Sequence, residues 1–265
     1  MFRDSMKGLD KVFITEPPRG SVVMIVGRPG TLKSSIAHQI ISSYLWKHSD
    51  ENAVYVTFEE TKESHMRNMD SLGISIPEKQ YFIEDIASFR HEINQSSMDF
   101  GDDEYAKIIL QEVSKPFGLY YDHGSIREEI LEGAGKSNNG ADEDKATKKI
   151  PTVMGFDSIN AFEAMFGVPH RKMRFIMQDF FMRIRKKGVN ALIIMEGEPD
   201  SLVQEYFMAD GIIEVGIDRS TPHLPKRYLL VQKMRGTQHD MAPHMINITK
   251  SGLEIGEPLI GWKNK

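Results

Sequence analysis

A loop that binds phosphate needs glycines whose backbone N–H groups can converge on the anion, a lysine for the β/γ charge and a hydroxyl for a magnesium ion. It also needs a helix whose N-terminus faces the phosphates. The run Gly27-Arg28-Pro29-Gly30-Thr31-Leu32-Lys33-Ser34-Ser35 supplies these groups in order. The apolar stretch Val22-Val23-Met24-Ile25-Val26 stops at Gly27, and Ile36, Ile40, Ile41 and Leu45 then recur at helical spacing. A strand, a glycine loop and a helix in that order are expected to cradle ATP, with Lys33 on the phosphates and Ser34 on Mg²⁺. One position departs from the usual pattern: the residue before the lysine is Leu32 where glycine is customary. If the loop needs positive φ there, a leucine carries roughly 1–2 kcal/mol of strain. That strain threatens catalytic geometry more than binding, because most backbone donors do not depend on the side chain.

Two sets of carboxylates could serve such a loop. Asp157 closes the apolar run Pro151–Phe156, where an aspartate beside the loop would hold Mg²⁺ through water. Asp157-Ser158 is equally good chemistry for capping a following helix. Glu59-Glu60 ends the apolar run Ala53–Phe58, and one of them could act as general base toward water. Neighbouring strand residues point to opposite faces, so only one of the pair is expected to face the γ-phosphate. Without the loop, both read as a solvated pair.

The elements that must position these groups alternate. Strands are expected at 22–26, 53–58, 81–83, 151–156 and 191–195, with helices at 34–46, 64–71 and 170–187 between them. Closely spaced strands at 211–217, 227–233 and 245–249 follow. This predicts an α/β fold with a mostly parallel central sheet flanked by helices, and antiparallel strands at the C-terminal end. Residues 89–150 break the rhythm. A short helix is expected at 125–131, and 133–149 hold almost no apolar residues, which predicts a mobile loop. The chain of 265 residues shows no internal repeat, so one domain with one long insertion is expected.

Composition narrows the classes further. The net charge of −5 argues against a duplex DNA binder, for which a basic excess is usual. The absence of cysteine removes disulfides, thiolate metal sites and thiol catalysis, and fits a cytoplasmic protein. No apolar run approaches the ~20 residues that span a bilayer, and Met1–Lys7 leads into no secretory core, so neither anchor nor export is expected. The nine histidines show no metal-ligand spacing, and the sixteen methionines read as core filler. Arg171, Lys172, Arg174, Arg183, Arg185, Lys186 and Lys187 make the helix before Ala191 basic. Cations in its last turn complement the helix dipole, and a nucleic-acid face is the sharper alternative.

Taken together these motifs resemble the KaiC-like branch of the RecA/RadA ATPase superfamily. The matching pieces are Gly8-Leu9-Asp10, the phosphate loop, Val54–Glu60, Ser71-Leu72-Gly73 and Phe156-Asp157-Ser158. Then come Tyr206–Gly211, Lys233-Met234-Arg235-Gly236-Thr237-Gln238-His239 and Ile248–Leu253. The resemblance implies a RecA-like P-loop fold and a nucleotide held between subunits of a homo-oligomeric ring, commonly a hexamer. It implies that Gly27–Ser35 hold phosphates and metal, that Glu59 with Glu60 beside it is the catalytic carboxylate, and that Ser71 lies near the adenine. Lys233 and Arg235 would reach into the neighbouring subunit's site, with Thr237 and His239 close to that nucleotide. Without the resemblance, Lys233 and Arg235 are alternating residues on an edge strand. The chain holds one copy of the domain where the circadian clock members carry two, so neither clock function nor autophosphorylation is implied. Three readings follow: a slow, ring-forming regulatory ATPase that changes contacts with a protein partner, a recombination accessory ATPase that binds single-stranded DNA, or an ATP sensor that does not hydrolyse.

Overall fold

A computed structural model describes residues 1–88, 113, 150–164, 170–197, 208–220 and 224–259. The expected insertion at 89–150, with its helix at 125–131 and loop at 133–149, lies almost wholly outside these residues, as do Tyr206 and Phe207.

The strands are β1 (Val22–Gly27), β2 (Ala53–Thr57), β3 (Tyr81–Asp85), β4 (Val153–Asp157), β5 (Asn190–Glu196), β6 (Gly211–Asp218), β7 (Lys226–Met234), β8 (His244–Thr249) and β9 (Gly252–Pro258). The helices are α1 (Leu9–Val12), α2 (Lys33–Leu45), α3 (Lys62–Ser71), α4 (Ile159–Ala164) and α5 (His170–Lys186). The nine strands form one sheet in the order β3-β2-β4-β5-β1-β6-β7-β8-β9. β3 through β6 in that order run parallel, and β7, β8 and β9 add on antiparallel. The expected mixed sheet is therefore present.

Residue type explains the arrangement. Every residue of β1 and β2 is buried, as strands covered on both faces must be. Alternation splits β1 between two cores. Val22, Met24 and Val26 join Phe162 of α4 and Phe180, Phe181 and Ile184 of α5, whereas Val23 and Ile25 join Leu9 of α1, Ile36 and Ile40 of α2 and Met69 of α3. Gly155 in β4 is required by packing, since a Cβ there would run into the ring of Tyr55 on β2.

Three elements were not foreseen. β9 carries Gly252 and Gly256, which weaken a strand pattern, yet its Leu253 and Ile255 alternate into the core. α1 and α4 span four and six residues, too short to display a helical period. One expectation needs correcting. β7 is not an edge strand: it lies between β6 and β8, although its register with β8 covers only Tyr228 and Leu229. Arg235 follows the strand, in the turn at 235–236.

Among the described residues no helix is long and apolar enough to cross a membrane.

Candidate functional site

The parallel strands β1, β2, β4 and β5 all end on one side of the sheet, the side on which open α/β sheets place their ligands. Gly27 ends β1 in register with Glu196 of β5, and Thr57 ends β2 in register with Asp157 of β4. The loop after β1 turns at Gly30 (φ 79°) and Leu32 (φ 74°), then enters α2. Leu32 is the only non-glycine residue with positive φ among the described residues, so the strain expected there is realised. Its half-buried side chain packs against the α2 side of the core, a contact that offsets part of that cost.

No side chain caps the start of α2, so the amides of its first turn have neither an intrahelical acceptor nor a cap. Lys33 is buried, and its Nζ donates to the Arg28 carbonyl at 3.0 Å and pairs with Glu196 Oε1 at 3.2 Å. Thr31 Oγ1 donates to the same Arg28 carbonyl at 2.9 Å. Uncapped amides at a helix N-terminus beside a buried ammonium are the donor set that an oligophosphate requires.

The carboxylates divide by task. Asp157 does not cap α4: Ser158 Oγ accepts from the Ala161 amide at 3.2 Å and takes that role. The Asp157 Oδ2 instead accepts from Tyr55 Oη at 2.7 Å. Burial, then the Asp157 carboxylate, pushes the Tyr55 hydroxyl well above its usual range, so it stays a protonated donor. Tyr55 thus orients Asp157, one of the two groups expected to serve Mg²⁺. Glu60 Oε2 accepts from Ser64 Oγ at 2.8 Å and Asn68 Nδ2 at 3.1 Å, which ties it to α3. Among the described residues Glu59 has no such anchor. Partial desolvation, then Glu196, Asp157 and Glu60 in that order, raises its carboxyl above the ordinary 4.5, with Lys33 opposing. The Asp157 carboxylate and the Ser34 hydroxyl are oxygen donors of the kind Mg²⁺ takes. Among the described residues no three His, Asp or Glu side chains form a metal cage, so phosphate oxygens would complete the coordination.

Glu196 was not foreseen, although it follows the apolar run of β5 just as Asp157 follows that of β4. Its place is fixed by Asn160, whose Oδ1 accepts from the Glu196 amide at 2.7 Å and whose Nδ2 donates to the Glu196 carbonyl at 3.1 Å.

Other expected residues lie elsewhere. Ser71 ends α3, about 14 Å along the helix from the Glu60 end, and its Oγ bonds the Asn68 carbonyl at 2.8 Å. Lys233 and Arg235 do not meet their own phosphate loop. Lys233 pairs with Ile212, which is in register with Met24, and Arg235 lies two residues further on, so both are displaced from Gly27 toward the start of β1. There Lys233 Nζ donates to the Ala209 carbonyl at 2.7 Å and Arg235 pairs with Asp210 at 3.5 Å. Burial, then the Arg235 guanidinium, holds the Lys233 ammonium below its usual range. Thr237 and His239 continue this segment along residues 12–15, with Phe13 and His239 forming an antiparallel bridge. On the basic helix α5, Arg185 pairs with Asp210 at 2.9 Å and Arg183 with Asp179 at 2.7 Å. The side chains of Arg171 and Lys172 lie outside the described part.

Comparison with known proteins bears on the family and the fold. The family model described as the KaiC ATPase matches residues 3–115 and 142–260. A UPF0273 protein of Aeropyrum pernix is 24% identical over 96% of this chain and 92% of its own length. One from Thermotoga maritima is 24% identical over 96% of this chain and 94% of its own. The crystal structure of a KaiC-like protein from Pyrococcus horikoshii superposes with a TM-score of 0.65 at 22% identity, covering 96% of this chain and 97% of that one. The fold is therefore RecA-like in the KaiC manner.

Proposed function

The chain belongs to the KaiC ATPase family, and from that premise we propose that it binds ATP–Mg²⁺ at Gly27–Ser35 and hydrolyses it slowly, as a regulatory ring completed by further copies of itself. One observation carries the reading: a buried lysine and an uncapped helix N-terminus face a group of carboxylates across the ends of β1, β2, β4 and β5. In this reading the loop amides and Lys33 hold the phosphates, and Ser34 with Asp157 holds Mg²⁺. A cation held there would supply positive charge against the phosphoryl oxygens. Glu59 accepts the proton of the attacking water, whose oxygen bonds phosphorus as the ADP oxygen leaves. Glu60 secures the turn rather than the proton.

The pH dependence follows from the sign of the Glu59 shift. A general base works when deprotonated, and its carboxyl lies above 4.5. The acid limb of kcat/KM, which reports the nucleotide-free site, should therefore fall at a pH above the ordinary glutamate range. A limb at or below that range would remove Glu59 as the base.

Lys233 and Arg235 support the ring. Lys233 is level with Met24, about 10 Å from Gly27 along the strands, and Arg235 lies further still, so a cation delivered by them would act on a neighbouring copy, in a head-to-tail contact. Arg235→Ala should lower phosphate release about 30-fold, and Lys33→Ala should be inactive alone. Mixing the two should recover activity, because some interfaces then join an intact loop to an intact arginine. Activity that stays additive on mixing would place both residues outside a shared site. Light scattering with and without ATP–Mg²⁺ tests assembly itself; a monomer under both conditions would end the ring reading.

A second reading, an ATP sensor without turnover, is favoured by Leu32 at φ 74°. Leu32→Gly removes the strain but also a half-buried leucine, so stability should change by no more than about 1 kcal/mol. Phosphate release should rise severalfold if strain limits turnover; an unchanged rate would reject strain as the limit.

A further inference from the structure

Between α2, α3 and the sheet, a thread of polar side chains crosses an otherwise apolar layer. Tyr81 of β3, His38 of α2, His65 of α3 and Thr57 of β2 are each at most 4% exposed. Tyr81 Oη meets His38 Nδ1 at 2.7 Å, His38 Nε2 meets His65 Nδ1 at 3.1 Å, and His65 Nε2 meets Thr57 Oγ1 at 3.0 Å. Thr57 Oγ1 then donates to the Glu60 carbonyl at 2.9 Å.

Only one direction of donation satisfies every member. Thr57 spends its proton on a carbonyl, so it must accept from His65 Nε2–H. His65 Nδ1 is then an acceptor, which requires His38 to carry its proton on Nε2. His38 Nδ1 in turn accepts from Tyr81. Both rings then carry a proton on Nε2, and burial followed by the proximity of His65 holds His38 well below the usual histidine range. Tyr55 closes the thread from the side, its ring stacked on His38 at 4.0 Å. A complete network of this kind is rigid, because each broken link leaves a buried group unsatisfied.

Two members of the thread, His38 on α2 and Thr57 at the end of β2, lie on site elements. His38 stands four residues after Ser34 on α2, hence on the same helix face. The far end grips the carbonyl of Glu60, next to Glu59, while α3 holds the Glu60 carboxylate. The turn that carries Glu59 is thus clamped at its backbone and at its neighbour's side chain, and referred to the helix that carries Lys33. We propose that the Tyr81–His38–His65–Thr57 chain sets the distance between Glu59 and the phosphate loop, with Thr57 and His65 as positioning residues for hydrolysis. This rests on the reading of Glu59 as the base.

Thr57→Val keeps the shape and removes the hydroxyl. It should lower kcat about tenfold with KM for ATP within about twofold, assayed well below the melting point of each variant. Thr57→Ser should recover most of the rate. If Thr57→Val does not fold, His65→Leu and His65→Gln form the parallel pair, with loss in the first and recovery in the second, whose amide both donates and accepts. A merely structural thread would lower the melting temperature and leave kcat of the folded variants unchanged; that result, or serine and glutamine variants as slow as valine and leucine, overturns the proposal. ¹⁵N NMR of the wild type should show both rings protonated at Nε2, and an Nδ1–H on either ring overturns the directed chain. Glu59→Gln run alongside separates the two claims. Loss of turnover there with an unaffected Thr57→Val removes the positioning role alone. A Glu59→Gln variant that turns over normally, or a wild type without turnover, removes the base and the positioning role with it.

Discussion

Glu59→Gln should bind ATP–Mg²⁺ as tightly as the wild type and release phosphate at least about 100 times more slowly. A positioned general base contributes roughly 10²–10⁴-fold, and glutamine keeps the shape without the proton acceptor. The substitution should not weaken the fold. Glu59 has its carboxyl raised above 4.5 because partial desolvation and the carboxylates of Glu196, Asp157 and Glu60 disfavour its charge. A carboxyl raised by folding binds its proton more tightly in the native state, so stability falls as pH rises through the shifted value. Removing that charge at neutral pH should leave the melting temperature unchanged or higher. Loss of turnover together with a clearly lower melting temperature would point to a structural residue. Glu60→Gln should behave in the opposite way, since its carboxylate accepts from Ser64 and Asn68: a lower melting temperature with smaller loss of turnover.

Lys33→Ala should weaken ATP binding about 100-fold and abolish measurable hydrolysis. Each hydrogen bond from an ammonium to a phosphate oxygen is worth about 1.5–3 kcal/mol, and Lys33 supplies more than one once turned from the Arg28 carbonyl and Glu196. Its removal also leaves Glu59 and Glu196 without the compensating charge of its ammonium, and the resulting field repels a triphosphate. Calorimetric titration of wild type and variant measures the ratio directly. Equal affinities would move the phosphates away from this loop.

The strand–loop–helix unit was legible because its signals are local. Five β-rich apolar runs each ended in Gly, Glu or Asp, and the helical spacing of Ile36, Ile40, Ile41 and Leu45 had no competing period. The sheet order was not legible, because which strand lies beside β1 is decided by long-range pairing. The same limit hid Glu196, which reaches Lys33 only once β5 is placed against β1. Glu59 and Glu60 looked alike in the chain, and their difference comes from α3, which takes one and leaves the other. Asp157 and Ser158 each suited a cap until the hydroxyl was found on the Ala161 amide. His38 and His65 lacked ligand spacing and drew no attention, since neighbours on two different helices leave no sequence pattern. Leu32 was the reverse case: the sequence showed where the backbone would be strained, and φ 74° is that strain.

Titration calorimetry of ATP–Mg²⁺ into the folded wild-type chain is the most direct measurement. Saturable binding with one nucleotide per chain, lost when Lys33 becomes alanine, is the expected result. No detectable heat with ATP at millimolar concentration would contradict it, and the glycine loop before α2 would then be only a turn between a strand and a helix.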